Sequence, residues 1–164
     1  MEKEKQFIRL LAGKAVRREG YGKELFSLRR IERCRMYKLT EREEWLCKEI
    51  VDCAIKVHRQ LGPGLLEKIY EICFCHELNK KNISFERQLD LPIKYDGIIF
   101  DEGLRMDVFV DNTVICELKA VDTVNPVWQA QVLSHLVMTG KHVGFLMNFN
   151  VDLMKNGIRR YCKE

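Results

Sequence analysis

A pair of β-rich segments joined by a short polar turn constrains the fold of this chain more than any other feature. The segments span residues 104–110 and 114–120, and the turn between them contains the dipeptide Asp-Asn, which suits a tight hairpin. A loop at residues 111–113 would pair Val110 with Val114. Because side chains alternate along a strand, a slip of one residue would exchange the two faces of the hairpin. The sequence therefore predicts a hairpin with a fixed register.

Three charged side chains share one predicted face of this hairpin. The register places Asp107 directly opposite Glu117, and Lys119 follows two residues later, so it projects from the same side. Opposed residues have Cβ atoms about 4.5–5.5 Å apart, which lets two carboxylates hold one divalent cation. A solvated outer face with an ion pair is the alternative, although directly opposed like charges destabilise a bare sheet surface. The other face is apolar and is predicted to lie in a core: Met106, Val108, Val110, Val114, Cys116 and Leu118.

The basic residues are concentrated at the start of the chain. The 164 residues carry a net charge of +4, yet residues 1–39 contain twelve Lys or Arg against five Glu. Such a segment can follow a polyanion, or it can be a solvated extension without a fixed structure. We expect a basic extension over residues 1–39 and one globular domain over residues 40–164. We also hypothesise that Met36 is the physiological start, because residues 1–35 are basic and interrupted by glycines.

The sequence predicts a cytoplasmic protein without a membrane span. No segment contains the roughly 20 apolar residues that a membrane span needs, and the N-terminus lacks the apolar core of a secretory signal. Seven cysteines without zinc-like paired spacing favour free thiols in a reducing compartment. The run Cys73-x-Cys75-His76 is not expected to bind a metal, because side chains two residues apart diverge on a helix.

Hydrophobic periodicity and capping residues predict three helices. Thr40 opens a capping box for a first helix that ends at Leu61. A second helix is expected at about residues 65–79, and a third at about residues 125–139 with Asn125 as its cap. The predicted core residues of the second helix are Leu66, Ile69, Ile72, Cys73 and Leu78.

The remaining β-rich runs complete a predicted mixed sheet. Strands are expected at residues 85–95 and 98–100, on either side of an Asp-Gly turn, and at residues 143–148, which form the last predicted element. Together with the hairpin and the helices, these strands predict an α/β sandwich.

Four motifs occur in an order that resembles one known family. Gly64, Glu67 and Tyr70 open the second helix as Gly-x-x-Glu-x-x-Tyr, and the charged hairpin follows. Gln131 lies in the third helix, and residues 144–149 form the last strand. From about residue 40 to the C-terminus, the chain resembles the GxxExxY proteins, a branch of the PD-(D/E)xK nuclease superfamily. The resemblance implies a restriction-endonuclease-like α/β sandwich with a mixed central β-sheet flanked by helices.

The resemblance also implies a metal site on the hairpin. Asp107, Glu117 and the backbone carbonyl of Leu118 would bind Mg²⁺, with Mn²⁺ as a substitute, and oxygen ligands of this kind suit Mg²⁺. A metal in this place can lower the pKa of a bound water and polarise a phosphate. Lys119 would orient or help to deprotonate the attacking water and stabilise the charge that develops on the phosphate.

The implied site residues on the helices have structural alternatives. Glu67 would be a further metal ligand, direct or through water, or else an exposed acid in the first turn of a helix. Gln131 would contact the attacked phosphate or position Lys119. His135 shares the face of Gln131, one turn later, where many nucleases of the superfamily carry tyrosine. This departure leaves the role of position 135 open.

Three further residues are weaker candidates for substrate binding. Tyr70 is as consistent with core packing and a bonded hydroxyl as with a direct role. His58 is either structural or adjacent to the substrate, because imidazole is a poor ligand for Mg²⁺. Arg105 would lie opposite Lys119 and contact a phosphate, or it would pair with a neighbouring acid.

The sequence predicts a Mg²⁺-dependent nuclease, with DNA as the expected polymer and a homodimer as one assembly to consider. The main alternative is a module that keeps the nuclease fold and binds nucleic acid or a partner without turnover. Activity on another phosphodiester or nucleotide is a third. Asp107, Glu117 and Lys119 together favour catalysis, because an inactive scaffold has no physical need for all three.

Overall fold

The computed structural model describes residues 37–163. The basic segment at residues 1–36, including the hypothesised start at Met36, lies outside the described residues. The first described residue with a side-chain contact is Tyr37, whose ring stacks on His142 with centroids 4.5 Å apart. Its hydroxyl also donates a hydrogen bond to the carboxylate of Glu43, so this end of the described chain packs against the domain.

The described chain contains four helices and five strands. In chain order they are α1 (Glu41–Leu61), α2 (Glu67–Lys80), β1 (Phe85–Tyr95), β2 (Ile98–Val110), β3 (Val114–Lys119), α3 (Pro126–Thr139), β4 (Val143–Asn148), α4 (Met154–Gly157) and β5 (Ile158–Cys162). None of the described helices combines the length and the apolar character needed to cross a membrane.

Local capping signals position the ends of α1 and α3 as predicted. The side chain of Thr40 accepts a hydrogen bond from the backbone of Glu43, and the Glu43 side chain accepts one from the backbone of Thr40. Asn125 caps α3 by accepting from the backbone of Val127, and Gly140 ends that helix in the left-handed region with φ 67°. These ends depend on a few neighbouring residues, which explains why the sequence predicts them.

The predicted core of α2 is largely wrong. Leu66 precedes the helix and is 77% exposed, and Ile69 and Ile72 are also exposed. The buried face instead carries Tyr70 and Phe74, together with Leu78, which was predicted correctly. The helix begins at Glu67, slightly later than expected. The elements that pack against α2 determine which of its faces is buried, and that face carries aromatic and polar side chains instead of the predicted isoleucines.

The sheet has five strands in the order β1-β2-β3-β4-β5. Among the described strands, the only parallel pair is β3 with β4, which α3 connects, and the other neighbouring pairs are antiparallel. The predicted strand at residues 98–100 is the start of one long strand, β2. The prediction that residues 143–148 form the last element is wrong, because α4 and β5 follow. The sequence signal for β5 is weak, since the strand is short and two of its five residues are arginines.

Two apolar clusters lie on opposite faces of the sheet, so the domain has three layers. The larger cluster joins α1 and α2 to one face, which includes Val108, Cys116 and Leu118. The smaller cluster joins α3 to the other face through Val132, Leu133 and Leu136, packed on Phe109, Ile115 and Leu146. The mixed sheet between helices is the α/β sandwich that the sequence predicts.

Gly144 on β4 allows α3 to approach the sheet closely. A Cβ atom at this position would lie 2.7 Å from Cγ1 of Val132, a stiff β-branched side chain that is fully buried. We expect Gly144→Ala to lower the free energy of unfolding by about 1–3 kcal/mol, because α3 or the sheet must shift to relieve the overlap. Urea denaturation of the two proteins measures this difference. Unchanged stability would mean that α3 is not held against the sheet at this point.

Candidate active site

The hairpin of β2 and β3 adopts the predicted register. Val110 pairs with Val114, and Val108 pairs with Cys116. Beyond that pair, the carboxylate of Asp107 accepts a hydrogen bond from the backbone nitrogen of Leu118, over 2.9 Å. The side chain of Asp107 is therefore fastened to the strand that carries the Glu-Leu-Lys triplet.

Lys119 lies at the centre of a cluster of oxygen atoms. Its Nζ is 2.8 Å from Oε1 of Glu117, 3.6 Å from Oδ2 of Asp107 and 3.8 Å from Oε1 of Glu67. It also donates a hydrogen bond of 2.8 Å to the backbone carbonyl of Leu118. The fold thus brings together five of the groups singled out in the sequence, from the start of α2 and from both strands of the hairpin.

The face of the hairpin that carries these groups is buried, which excludes the solvated-face alternative. Glu117 is only 1% exposed, and the side chains of Asp107 and Lys119 are 16% and 11% exposed. Helix α3 covers this face, where Phe109 and Ile115 belong to the smaller cluster. The interpretation of one apolar and one outward charged face is therefore wrong, because both faces of the sheet are covered by helices.

The position of Met106 is a second correction. The sequence placed it on the face of Val108, whereas it packs in the smaller cluster with Phe109. Opposite this point in β1, Gln88 adopts φ 51°, between the pairs Arg87–Val108 and Leu89–Met106. Gln88 lies across from Asp107, and the pairs on either side of it keep the same register.

Burial and like charges together perturb the acids of the cluster. Burial is the main cause that raises the pKa of Glu117 to about 8, and the nearby carboxylate of Asp107 adds to it. The pKa of Glu67 is also raised, first by burial, with Lys119 opposing and Asp107 adding to the shift. Burial lowers the pKa of Lys119, but the surrounding carboxylates, led by Glu117, outweigh it and raise the net value. Full ionisation of the three acids would therefore place more negative charge in the cluster than one ammonium balances.

These oxygens fit a divalent cation in their chemistry. Two carboxylates and a backbone carbonyl are hard ligands of the kind that Mg²⁺ prefers. Oε2 of Glu117 is buried and has no hydrogen-bond partner, so it retains a lone pair for a cation. Among residues 37–163, however, no three His, Cys, Asp or Glu side chains are already arranged around a common metal position. The carboxylates are arranged around the Lys119 ammonium, which explains why they do not converge on a common metal position.

His135 is the residue of this site to which sequence reasoning gave no role. It lies on α3 and is 0% exposed, and neither ring nitrogen has a hydrogen-bond partner. Its Nδ1 is 3.9 Å from Oε2 of Glu117. Burial is the main reason that the pKa of His135 falls to about 4, so the ring is neutral at physiological pH. The spacing of four residues after Gln131 placed it on this face, but nothing local indicated its depth.

Tyr70 belongs to the structure that supports α2. Its ring is fully buried and stacks on Phe149 with centroids 4.7 Å apart. Its hydroxyl donates to the carbonyl of Gly62 over 2.7 Å and accepts from the backbone nitrogen of Leu65 over 3.0 Å. These bonds hold the loop that leads into Glu67. Of the two alternatives for Tyr70, the structure therefore supports packing with a bonded hydroxyl.

We expect Tyr70→Phe to destabilise the protein by about 1–3 kcal/mol, because the variant removes two partly buried hydrogen bonds, one to the Gly62 carbonyl and one from the Leu65 backbone nitrogen. The ring and its packing on Phe149 remain, so any catalytic rate should change much less than stability. Thermal unfolding and cleavage rates measured in parallel test this. Unchanged stability combined with a large loss of rate would instead give the hydroxyl a direct part in the reaction.

Three other sequence candidates occupy different surroundings. His58 is buried and its Nε2 lies 2.7 Å from the carbonyl oxygen of Val151, which ties α1 to the loop after β4. Arg105 does not lie opposite Lys119 but forms an exposed pair with Asp90, with 3.6 Å between Nε and Oδ1. Such exposed pairs contribute little to stability. The structure therefore places neither side chain among the carboxylates, and it favours the structural alternative for both.

Gln131 lies one turn before His135 on α3 and is partly exposed. In the described part of the chain, no hydrogen bond joins its amide to Lys119 or to the site carboxylates. Asn148, which the sequence reasoning did not single out, pairs with Lys119 in the parallel register of β3 and β4. Its buried amide accepts from the backbone nitrogen of Val121 and donates to the Val121 carbonyl, which holds the chain just after Lys119. The sequence signal that could have identified Asn148 is an asparagine at the end of an apolar strand.

The fold and the cluster define a class of protein, and comparison with family models agrees. A model of the PD-(D/E)XK nuclease superfamily matches residues 44–161, which include β1 to β4 and most of α1 and β5. The chain belongs to this superfamily, whose members are usually nucleases. The restriction-endonuclease-like α/β fold predicted from the sequence is thereby confirmed. A search of curated proteins and a search of solved structures each found no match.

Proposed function

We propose that this protein is a metal-dependent nuclease of the GxxExxY branch, which hydrolyses phosphodiester bonds of DNA. Asp107, Glu117 and the carbonyl of Leu118 are the proposed ligands of Mg²⁺, for which Mn²⁺ can substitute. The observation that supports this best is the position of the Lys119 ammonium, within 3.8 Å of three carboxylates and bonded to a carbonyl. The Lys119 ammonium therefore lies among the same oxygen atoms that are proposed to bind the divalent cation.

The chain's own groups account for the remaining requirements of phosphodiester hydrolysis. A divalent cation, when bound, supplies positive charge to the phosphate and lowers the pKa of a bound water. Lys119 is held by Glu117 and directed into the cluster, where its ammonium can donate to the attacked phosphate or to the water. Glu67, partly exposed at the start of α2, faces this point from the side of solvent and is proposed to contact the cation directly or through water.

Glu117 and Gln131 extend this proposal. Glu117 retains its proton up to about pH 8 without a divalent cation, so binding of one should release a proton. Gln131 is proposed to reach the phosphate from its partly exposed position on α3. Cys47, Cys53, Cys73, Cys75 and Cys116 are free thiols, as the sequence predicts, but Cys162 is disulfide-bonded, so the cysteines do not by themselves support the proposed cytoplasmic location. Light scattering, which measures the mass of the particle in solution, tests whether the protein forms the homodimer considered from the sequence.

Removal of divalent cations is expected to abolish cleavage. The purified chain should cut DNA in the presence of Mg²⁺ or Mn²⁺, lose all activity in EDTA, and recover on addition of excess Mg²⁺. Single- and double-stranded DNA and RNA, assayed side by side, identify the polymer. Cleavage that persists in EDTA contradicts the proposal. Binding of nucleic acid without cleavage under any condition would instead identify a module that keeps the fold and has lost turnover.

A further inference from the structure

A buried imidazole and a buried carboxylate oxygen face each other beneath α3. Nδ1 of His135 lies 3.9 Å from Oε2 of Glu117. That oxygen has no hydrogen-bond partner, and neither ring nitrogen of the histidine has one. Both residues are essentially inaccessible, with exposures of 0% and 1%. Two unpartnered polar groups therefore point toward each other inside the domain.

This arrangement is costly unless a third group lies between the two side chains. Buried polar atoms in proteins are almost always bonded, and a separation of 3.9 Å is too long for a direct hydrogen bond. The neighbours of His135 on α3, Val132 and Leu136, are apolar and fully buried. An apolar side chain at position 135 would extend that surface without leaving nitrogens unsatisfied. A buried histidine at position 135 therefore needs a partner that binds its ring nitrogens.

The distance suits a cation that bridges the two groups. Bonds from a divalent metal to imidazole nitrogen or carboxylate oxygen measure about 2.1 Å, so one ion can reach both atoms across 3.9 Å. Glu117 is suitably oriented for this, because its Oε1 faces Lys119 while its Oε2 faces His135. The imidazole would then complete, from the α3 side, a ligand set that Asp107 and Glu117 begin on the sheet.

We propose that His135 is a ligand of the cation bound by Glu117, and that this nitrogen makes the site prefer Mn²⁺ over Mg²⁺. Imidazole suits borderline transition metals, whereas Mg²⁺ takes oxygen ligands and keeps its waters. The inference rests on the proposed function, in that it assumes a metal at Asp107 and Glu117. It goes further by assigning a nitrogen ligand and a cation preference that the oxygen ligands alone would not produce.

Electron paramagnetic resonance of Mn²⁺ bound to the full chain tests the nitrogen ligand directly. Pulsed spectra of the wild-type protein should show coupling to an imidazole ¹⁴N, which His135→Gln should remove. His76→Gln is the matched control, because His76 is exposed on α2, and it should keep the coupling. Competition titrations should show that His135→Gln weakens Mn²⁺ binding about tenfold while Mg²⁺ binding changes little.

Each outcome separates this inference from the proposed function. Bound Mn²⁺ without nitrogen coupling in the wild-type protein overturns the role of His135 and leaves the nuclease proposal intact, with water as the group between the two side chains. Failure of both Mn²⁺ and Mg²⁺ to bind, or binding that Asp107→Asn does not weaken, overturns both proposals. The wild-type spectrum decides the question even if His135→Gln does not fold.

Discussion

Replacement of Lys119 by methionine is expected to reduce the rate of DNA cleavage by at least about a hundredfold. Loss of a single preorganised donor to a developing negative charge typically has an effect of this size. Methionine keeps most of the apolar stem of the side chain and removes only the ammonium. The measurement is the single-turnover rate with saturating Mg²⁺, which reports on the reaction and not on product release.

The same substitution also tests the electrostatic description of the cluster. Without Lys119, the carboxylates of Glu67, Asp107 and Glu117 face one another with no internal cation, so we expect the metal-free variant to be less stable than the wild type. Added Mg²⁺ should offset part of that loss. Lys48→Ala, on an exposed part of α1, is the control and should leave the rate and the stability unchanged. Equal cleavage by the variant and the wild type would indicate a contaminating nuclease.

Glu117→Gln is expected to stabilise the metal-free protein while abolishing cleavage. The folded protein holds the pKa of Glu117 near 8, against an ordinary value of 4.5, because burial and Asp107 disfavour its charged form. An amide of the same shape removes that charge. One pKa unit corresponds to about 1.4 kcal/mol, and we expect a net gain on the order of 2 kcal/mol at pH 8. The gain is smaller than the whole shift because glutamine pairs less strongly with Lys119.

The direction of the pH dependence follows from the two protonation states. Below about pH 4.5, Glu117 is protonated in both the folded and the unfolded chain, so the substitution should have little effect. As the pH rises to about 8, the unfolded chain has released this proton while the folded chain still holds it, and the wild type loses stability. The advantage of Glu117→Gln should therefore grow across this window and level off above it.

Thermal unfolding at a series of pH values, with and without Mg²⁺, measures this effect. Glu71→Gln is a suitable control, because Glu71 is also buried but accepts hydrogen bonds from Arg87 and Gln88 over 2.8 and 2.7 Å. Glu71→Gln should lower stability, which is the opposite of the effect expected for Glu117→Gln. A destabilised Glu117→Gln variant at pH 8 would contradict the electrostatic description of the site. Activity retained in that variant would contradict the proposed metal ligand.

Sequence reasoning predicted the parts of the site that depend on local rules. Strand alternation and the turn after Val110 determined the register of the hairpin, and the register placed Asp107 near Glu117 and Lys119. Capping residues determined where α1 begins and where α3 begins and ends. These features depend on residues a few positions apart, so a single sequence contains nearly all the information needed to predict them.

The sequence by itself therefore determined the order of the elements from α1 to β4, the register of the hairpin and the charged residues that it presents. Only the tertiary structure decided that α3 buries this face, that His135 lies against Glu117 and that Arg105 pairs elsewhere. It also decided that Tyr70, and not Ile69 or Ile72, faces the core. The physical reason is that burial depends on which elements pack together across long separations in sequence. No local pattern of residues specifies those contacts, and they give the acids of this site their unusual pKa values.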